Sequence, residues 1–406
     1  MTLPSRFQKE WFLVLQLNPD GASGVALTLS PRRGIHLTHY WPELRRRTQL
    51  LSRLRPSRFL PSVVTMAEPT YVYTAAAALA ISRERGPEPI ERIEFENLLA
   101  QTFTRALNEK REEARRHLGV SALDAVLVGS RITRLAVDGR DVLNPIGLPA
   151  RRITGWLELT FSPRTLFEGW RKFWSARRGF YFTDSVRAQG EAVARARGVP
   201  APLVAVGKER SFLWRPAALV SGNTTSSSQP ELLGWSLTNI YSRIAGAWGL
   251  PGSVAPAVYR AYLNGETSPP VRAAIERALK PVAPELVAEL KARKLSGEIQ
   301  LAAPIALPFP PLYPARSAAS NGVNAKSQVQ VQAVDPELLL TSLGFSLRNH
   351  TPEFSSRAAW PYLASFLEFY YDKSGTGINH WLKRRVHWLV PAANEHGLLG
   401  KLHPHS

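Results

Sequence analysis

Three stretches of the sequence carry residue types and spacings that could do chemistry. Two are apolar strands running into tight polar turns. Leu13-Val14-Leu15-Gln16-Leu17 leads into Asn18-Pro19-Asp20-Gly21, and Leu203-Val204-Ala205-Val206-Gly207 leads into Lys208-Glu209-Arg210-Ser211. Two such hairpin openings, almost two hundred residues apart, suggest duplicated nucleotide-clasping lobes, although apolar strands followed by glycine are also common as plain buried strands. The third stretch is 377–390. On a helical wheel Ile378, Trp381, Leu382, Val386 and Leu389 share one face, with Trp388 at its edge. Lys383, Arg384 and His387 lie opposite and Arg385 sits at the border. Indoles and aliphatics on one side and cations on the other suit an anionic membrane interface. A terminal helix docked on its own core would show the same stripe.

Other catalytic signatures are missing. There is no H-E-x-x-H spacing, no G-x-x-x-x-G-K-[ST] loop and no G-x-S-x-G elbow. Gly375-Thr376-Gly377 lacks the third glycine of a dinucleotide fingerprint, and His396, His403 and His405 read as solvated tail residues. Asn223-Thr224-Thr225 has the form of a glycosylation acceptor but reads as a polar loop.

The elements that must position the two turns are legible from periodicity. The N-terminal part reads as strand, turn, strand, turn, strand, ending at Ile35–Tyr40. A long amphipathic helix over about 94–117 follows, with Phe95, Leu98, Leu99, Phe103, Ala106, Leu107 and Ala114 on one face and Gly119 as its C-cap. Two strands, 125–128 and 132–137, complete a helix-then-hairpin unit. Further helices are expected at 184–197, 235–247, 254–264, 270–280 and 284–293, and again at 338–343 and 358–371. The Ser/Asn/Gln-rich 315–332 reads as a flexible linker or loop.

Composition bounds the rest. The chain has 406 residues, 44% of them hydrophobic, which is enough for several buried cores and excludes wholesale disorder. It has no cysteine, which excludes disulfides and thiolate metal sites and fits a reducing cytosol. No secretory leader or membrane-spanning run is visible, so a soluble or peripheral protein is expected. The 51 Lys and Arg outnumber 32 Asp and Glu, a balance that favours polyanions or reflects a basic solvated surface. The densest basic patch, 45–58, has no interleaved aromatics for base stacking, which makes nucleic acid an unfavoured partner.

In the order of these features, the whole chain resembles the FtsA/PilM branch of the actin-like ATPase superfamily. Lys9 to Asn18 resembles that branch's first phosphate motif, 203–214 its second, and the helix-then-hairpin its inserted SHS2-like subdomain. Leu233-Gly234-Trp235 stands at its glycine step into a helix, and 378–390 resembles the membrane-targeting helix of FtsA proteins.

The resemblance implies an α/β actin-like fold of two ribonuclease H-like lobes with a small inserted α+β subdomain. The first lobe would occupy 1–85 and 151–200, the insert 86–150 and the second lobe 201–314. The linker at 315–332 would be followed by a C-terminal helical part at 333–377, then the amphipathic helix and tail at 378–406.

The departures from the family pattern fall where it handles ATP. The first acid would stand at Gln16 and its glycine at Asn18; the second acid would stand at Ala205, with Gly207 kept. The threonines are replaced by Glu209, Arg210 and Ser211. Neither Gln nor Ala can offer a carboxylate to Mg²⁺, and only Asp20 is near enough in sequence to replace the first acid. The resemblance therefore implies a pseudo-ATPase with ATP and Mg²⁺ disfavoured. It would act as a scaffold or adaptor in bacterial cell division at the cytoplasmic membrane face, with a divisome-type partner or self-association. The alternatives are a PilM-like adaptor of type IV pilus assembly that binds a short tail of an inner-membrane protein, a weak ATPase, or a basic nucleic-acid-binding protein.

Overall fold

A computed structural model describes residues 10–44, 62–83, 87–168, 180–216, 229–295, 297–307, 329–349 and 354–372. The chain opens with β1 (Glu10–Asn18), β2 (Gly21–Leu29) and β3 (Gly34–Leu44), an antiparallel meander whose first turn pairs Asn18 with Gly21. β4 (Ser62–Ala67) then lies parallel to β1 on its other side.

The next unit comprises β5 (Tyr73–Ser82), α1 (Arg92–Leu118), β6 (Ala125–Val137), β7 (Arg140–Asp141) and β8 (Arg152–Pro163). β9 (Phe180–Asp184) returns beside β4, and α2 (Ser185–Arg197) crosses to the second lobe. There β10 (Leu203–Val206), β11 (Ser211–Trp214) and β12 (Glu231–Leu233) form a second meander. Four helices follow: α3 (Leu237–Trp248), α4 (Ala255–Leu263), α5 (Pro269–Leu279) and α6 (Val282–Ala292). Then come β13 (Gly297–Ala302), β14 (Val329–Ala333), α7 (Pro336–Ser342), β15 (Ser346–Asn349) and α8 (Ser356–Tyr371).

The two large sheets repeat one plan. The first is ordered β15-β3-β2-β1-β4-β9 and the second β12-β11-β10-β13-β14. In each, the opening strand has its meander on one side and two parallel strands on the other. That is the ribonuclease H-like arrangement, and two copies in one chain make an actin-like, two-lobed α/β fold, as expected from the sequence. One apolar core runs across both lobes. It joins Val14, Val64 and Met66 of the first sheet to Ala205, Phe212 and Trp214 of the second through Val186 and Val193 of α2. The C-terminal helix α8 returns to this core with Trp360, Leu363 and Phe366, the last 4.9 Å from the Phe12 ring.

Three details differ from the sequence reading. The inserted unit runs from Tyr73 to Pro163, wider than 86–150, because β5 and β8 form half of its four-stranded sheet, ordered β5-β8-β6-β7. The Ala-rich Tyr73–Ser82 gives little alternation to read, and only pairing with β8 makes it a strand. The two strands expected at 125–128 and 132–137 are one bulged strand, β6. The stretch expected as linker ends early, since Val329–Ala333 pairs in parallel with β13 and buries Val331.

Candidate functional site

In open α/β sheets ligands gather beyond the carboxyl ends of parallel strands. Here those ends are the close of β1, β4 and β9 in the first lobe, where Leu17, Ala67 and Asp184 stand abreast. In the second lobe they are the close of β10 and β13, where Ala205 stands beside Ala302. The structure brings the two turns singled out in the sequence to these edges.

Gln16 is half-buried on the same side of β1 as Phe12 and Val14, which face the shared core. It stands between Ser23 and Met66, and the Ser23 hydroxyl accepts a 2.7 Å hydrogen bond from Tyr362 of α8. Burial holds that phenol well above its ordinary pKa, so it stays a neutral donor. Asn18 is half-buried where it pairs with Gly21, and Asp20 is exposed in the turn. Ala205 is buried in the shared core between Phe212 and Ala302.

Gly207 closes its own hairpin: a Cβ there would lie 2.2 Å from the Arg210 carbonyl oxygen, so only glycine permits the turn to Ser211. The buried Ser211 hydroxyl accepts from the Gly207 N–H at 3.4 Å. The N-terminus of α3, the feature best suited to hold a phosphate, points its first donors at this turn. The Leu237 N–H bonds the Gly207 carbonyl at 3.1 Å and the Thr238 N–H bonds the Lys208 carbonyl at 3.0 Å. Ser236 and Asn239 complete a capping box on the same helix. The Gly234 N–H donates to the Glu289 carboxylate of α6 at 2.6 Å, which puts a negative charge where the glycine step would meet phosphate.

Sequence reasoning missed two carboxylates at these edges. Glu68, just past β4, is half-buried, and burial raises its pKa; Arg210 opposes the shift and Glu209 adds to it. Arg210 donates to the Thr70 hydroxyl at 3.3 Å and so links the β10–β11 turn to the first lobe.

Asp184 is buried and caps α2, accepting from the Val186 and Arg187 N–H groups at 2.8 and 3.1 Å. Burial raises its pKa from 3.8 to about 7 against the pull of those hydrogen bonds and of Arg187. An Asp directly before an apolar helical stripe is a legible N-cap signal; its place at the strand ends beside Ala67 is not legible.

The raised pKa has a defined effect on stability. The contribution of Asp184 is fully present below about pH 3.8 and is lost as pH rises through about 7. Asp184→Asn keeps the cap acceptor and removes the buried charge. It is expected to leave stability near pH 4 unchanged and to raise it at pH 8 by a few kcal/mol, given ~1.4 kcal/mol per pKa unit. Urea unfolding of both proteins at the two pH values tests this, and parallel pH profiles would refute it.

Residues 378–390, with Ile378, Trp381, Leu382, Lys383, Arg384, Arg385, Val386, Trp388 and Leu389, lie outside the described residues. Among the described residues no helix is long and apolar enough to cross a membrane, and no group of His, Asp and Glu could hold a metal ion.

No protein-family model matches the chain, and no curated protein matches it in sequence. Solved structures similar to it include a PilM–PilN type IV pilus biogenesis complex, at 15% identity and a TM-score of 0.38, covering 87% of this chain and 96% of that one. A Bacteroides thetaiotaomicron protein of actin-like ATPase fold is similar at 9% identity and a TM-score of 0.32, covering 87% and 96%. The ethanolamine utilization protein EutJ from Carboxydothermus hydrogenoformans is similar at 10% identity and a TM-score of 0.33, covering 89% and 92%.

Proposed function

We propose that this protein is an actin-like scaffold or adaptor that does not hydrolyse ATP. The observation that carries the reading is the occupation of the phosphate-facing groups by the protein itself. The first donors of α3 bond the Gly207 and Lys208 carbonyls, and the Gly234 N–H bonds Glu289. A phosphate would have to displace these bonds and would meet the Glu289 carboxylate. Gln16 and Ala205 supply no carboxylate for Mg²⁺ at the strand ends.

In this reading the two-lobed body offers binding surfaces, and the inserted unit is a natural site for a protein partner. The sequence resemblance supports a role in bacterial cell division at the cytoplasmic membrane face, with a divisome-type partner or a second copy of the chain. Attachment to an anionic membrane surface would come from the 378–390 segment. The other setting within the same class is pilus assembly, with a PilN-like partner.

Isothermal titration calorimetry with Mg-ATP tests the common core of these readings. The expected result is no binding tighter than the high-micromolar range. A low-micromolar, Mg²⁺-dependent Kd would overturn it.

A further inference from the structure

The inserted unit has a core of its own. Every residue of that core lies between Tyr73 and Phe161, and none comes from either lobe. Its orientation is therefore set by its contacts with the lobes: the Gln229 amide reaches the Thr74 carbonyl of β5 from the second lobe, and a larger junction joins the unit to the first. One part of that junction is an apolar root where the chain enters and leaves, with Val128 packed against the cluster that includes Val72, Leu166 and Phe182. The other part is charged. Arg131 of β6 and Glu158 of β8 belong to the insert, while Arg187 of α2 and Glu368 of α8 belong to the body of the lobes.

The pairing within this group has a particular form. Inside the insert Arg131 meets Glu158 at 2.7 Å, and inside the body Arg187 meets Glu368 at 2.5 Å. The two pairs then exchange partners across the junction, Arg187 with Glu158 at 3.0 Å and Arg131 with Glu368 at 3.4 Å. Arg131 also donates to the Tyr181 hydroxyl of β9 at 3.2 Å. Thr183 of β9 donates to the second oxygen of Glu368, which holds that carboxylate on the body side.

Burial would raise the pKa of Glu158, but the two arginines hold it down at about 2, so that carboxylate is charged beside them. The body-side pair is nearly buried, at 8% and 6% exposure, while the insert-side pair is 21% and 25% exposed.

Removing one partner from a buried ion pair is costly because it strands a charge. Here separation strands none: each side keeps its own neutral pair, and water can reach the insert-side groups. The Arg187 Nε has no hydrogen-bond partner among the described residues even when docked, so the docked state is not fully satisfied. A junction that neutralises itself on both sides is suited to open and close.

We infer that the inserted unit docks reversibly on the first lobe through this four-charge junction, turning about its apolar root. The described arrangement is the docked state, and undocking frees the sheet face that carries Arg131 and Glu158.

The chain has no cysteine, so spin labels at Thr104→Cys on α1 and Ser342→Cys at the end of α7 report the insert-to-body distance alone. Both positions are exposed. The exchange Arg131→Glu with Glu158→Arg keeps a pair inside the insert but sets like charges against Glu368 and Arg187. Double electron–electron resonance is expected to show its distance distribution broadened about twofold or shifted, because an uncoupled unit moves freely. The circular dichroism melt should keep the wild-type helix content.

The neutral double variant Arg131→Gln with Glu158→Gln leaves the body pair intact and is expected to broaden the distribution as well. A distribution unchanged in both variants would overturn the inference. Loss of the global fold in both would overturn it too, since the junction would then be part of the fold itself and not a separable contact.

Discussion

Gly190→Ala, a change that ordinarily strengthens a helix, is expected to destabilise this protein severely. In a helix interior Ala is better than Gly by about 1 kcal/mol. Gly190, however, lies where α2 crosses against the second sheet, and a Cβ there would sit 2.2 Å from one carbon of the Trp214 ring and 2.5 and 2.6 Å from two others. Trp214 is 1% exposed within the core shared by the lobes, so its ring has nowhere to retreat.

Either the helix lifts from the sheet or the indole leaves its place, and overpacking of this kind costs about 3 kcal/mol or more. Urea unfolding measures the loss. Trp214→Phe in the same background should restore part of it, because the two positions share one contact. A neutral or stabilising Gly190→Ala would mean that α2 does not approach the second lobe this closely.

Arg83→Ala should be as damaging but confined to the insert. The Arg83 side chain is 1% exposed just past β5, at the end of that unit away from where the chain enters and leaves. Its guanidinium grips Glu94 of α1 with two hydrogen bonds of 2.8 Å. It also donates to the carbonyls of Glu88 at 2.5 Å, Ala150 at 2.8 Å and Pro89 at 3.4 Å. One side chain thus ties the start of α1 to the segments that lead into α1 and into β8.

Deletion leaves a half-buried carboxylate and several carbonyls without this donor, a loss of about 3–5 kcal/mol for a broken buried pair. Arg83→Lys should rescue little, since an ammonium cannot make the forked contact. Hydrogen exchange should accelerate in α1 and β8 while β1 and β4 keep their protection, because the insert has its own core. Equal acceleration everywhere would show that the insert and the lobes unfold as one.

Legibility in the sequence followed the strength of local pattern. β1, β2, β10, β11 and α1 were readable because each carries a run or stripe long enough to state its period, bounded by Pro, Gly or Asn. The identity of β9 as a strand comes instead from lying beside β4. β5 is alanine over much of its length and becomes a strand only by pairing with β8.

At the candidate site, the absence of a carboxylate at Gln16 and Ala205 could be read directly. Glu68 and Asp184 could not be recognised, because they reach the strand ends from separate segments of the chain. The four-charge junction is less legible still, with Arg131 and Glu368 meeting across 237 positions of chain.

By itself the sequence determined the strands that turn at Asn18-Pro19-Asp20-Gly21 and at Gly207, the long helix and which residue types stand at the strand ends. These depend on local backbone preference and on the side chains present, neither of which needs a partner far away in the chain. The tertiary structure alone decided that the α3 N-terminus faces the Gly207–Ser211 turn, that Glu289 meets Gly234, and that Asp184 is buried at the close of β9 beside β4. It alone decided, too, that two ion pairs from distant segments share one junction. Hydrogen bonds, burial and charge pairing between such segments exist only once the chain has folded. In this protein they bear most directly on what its strand-end turns and its inserted unit can do.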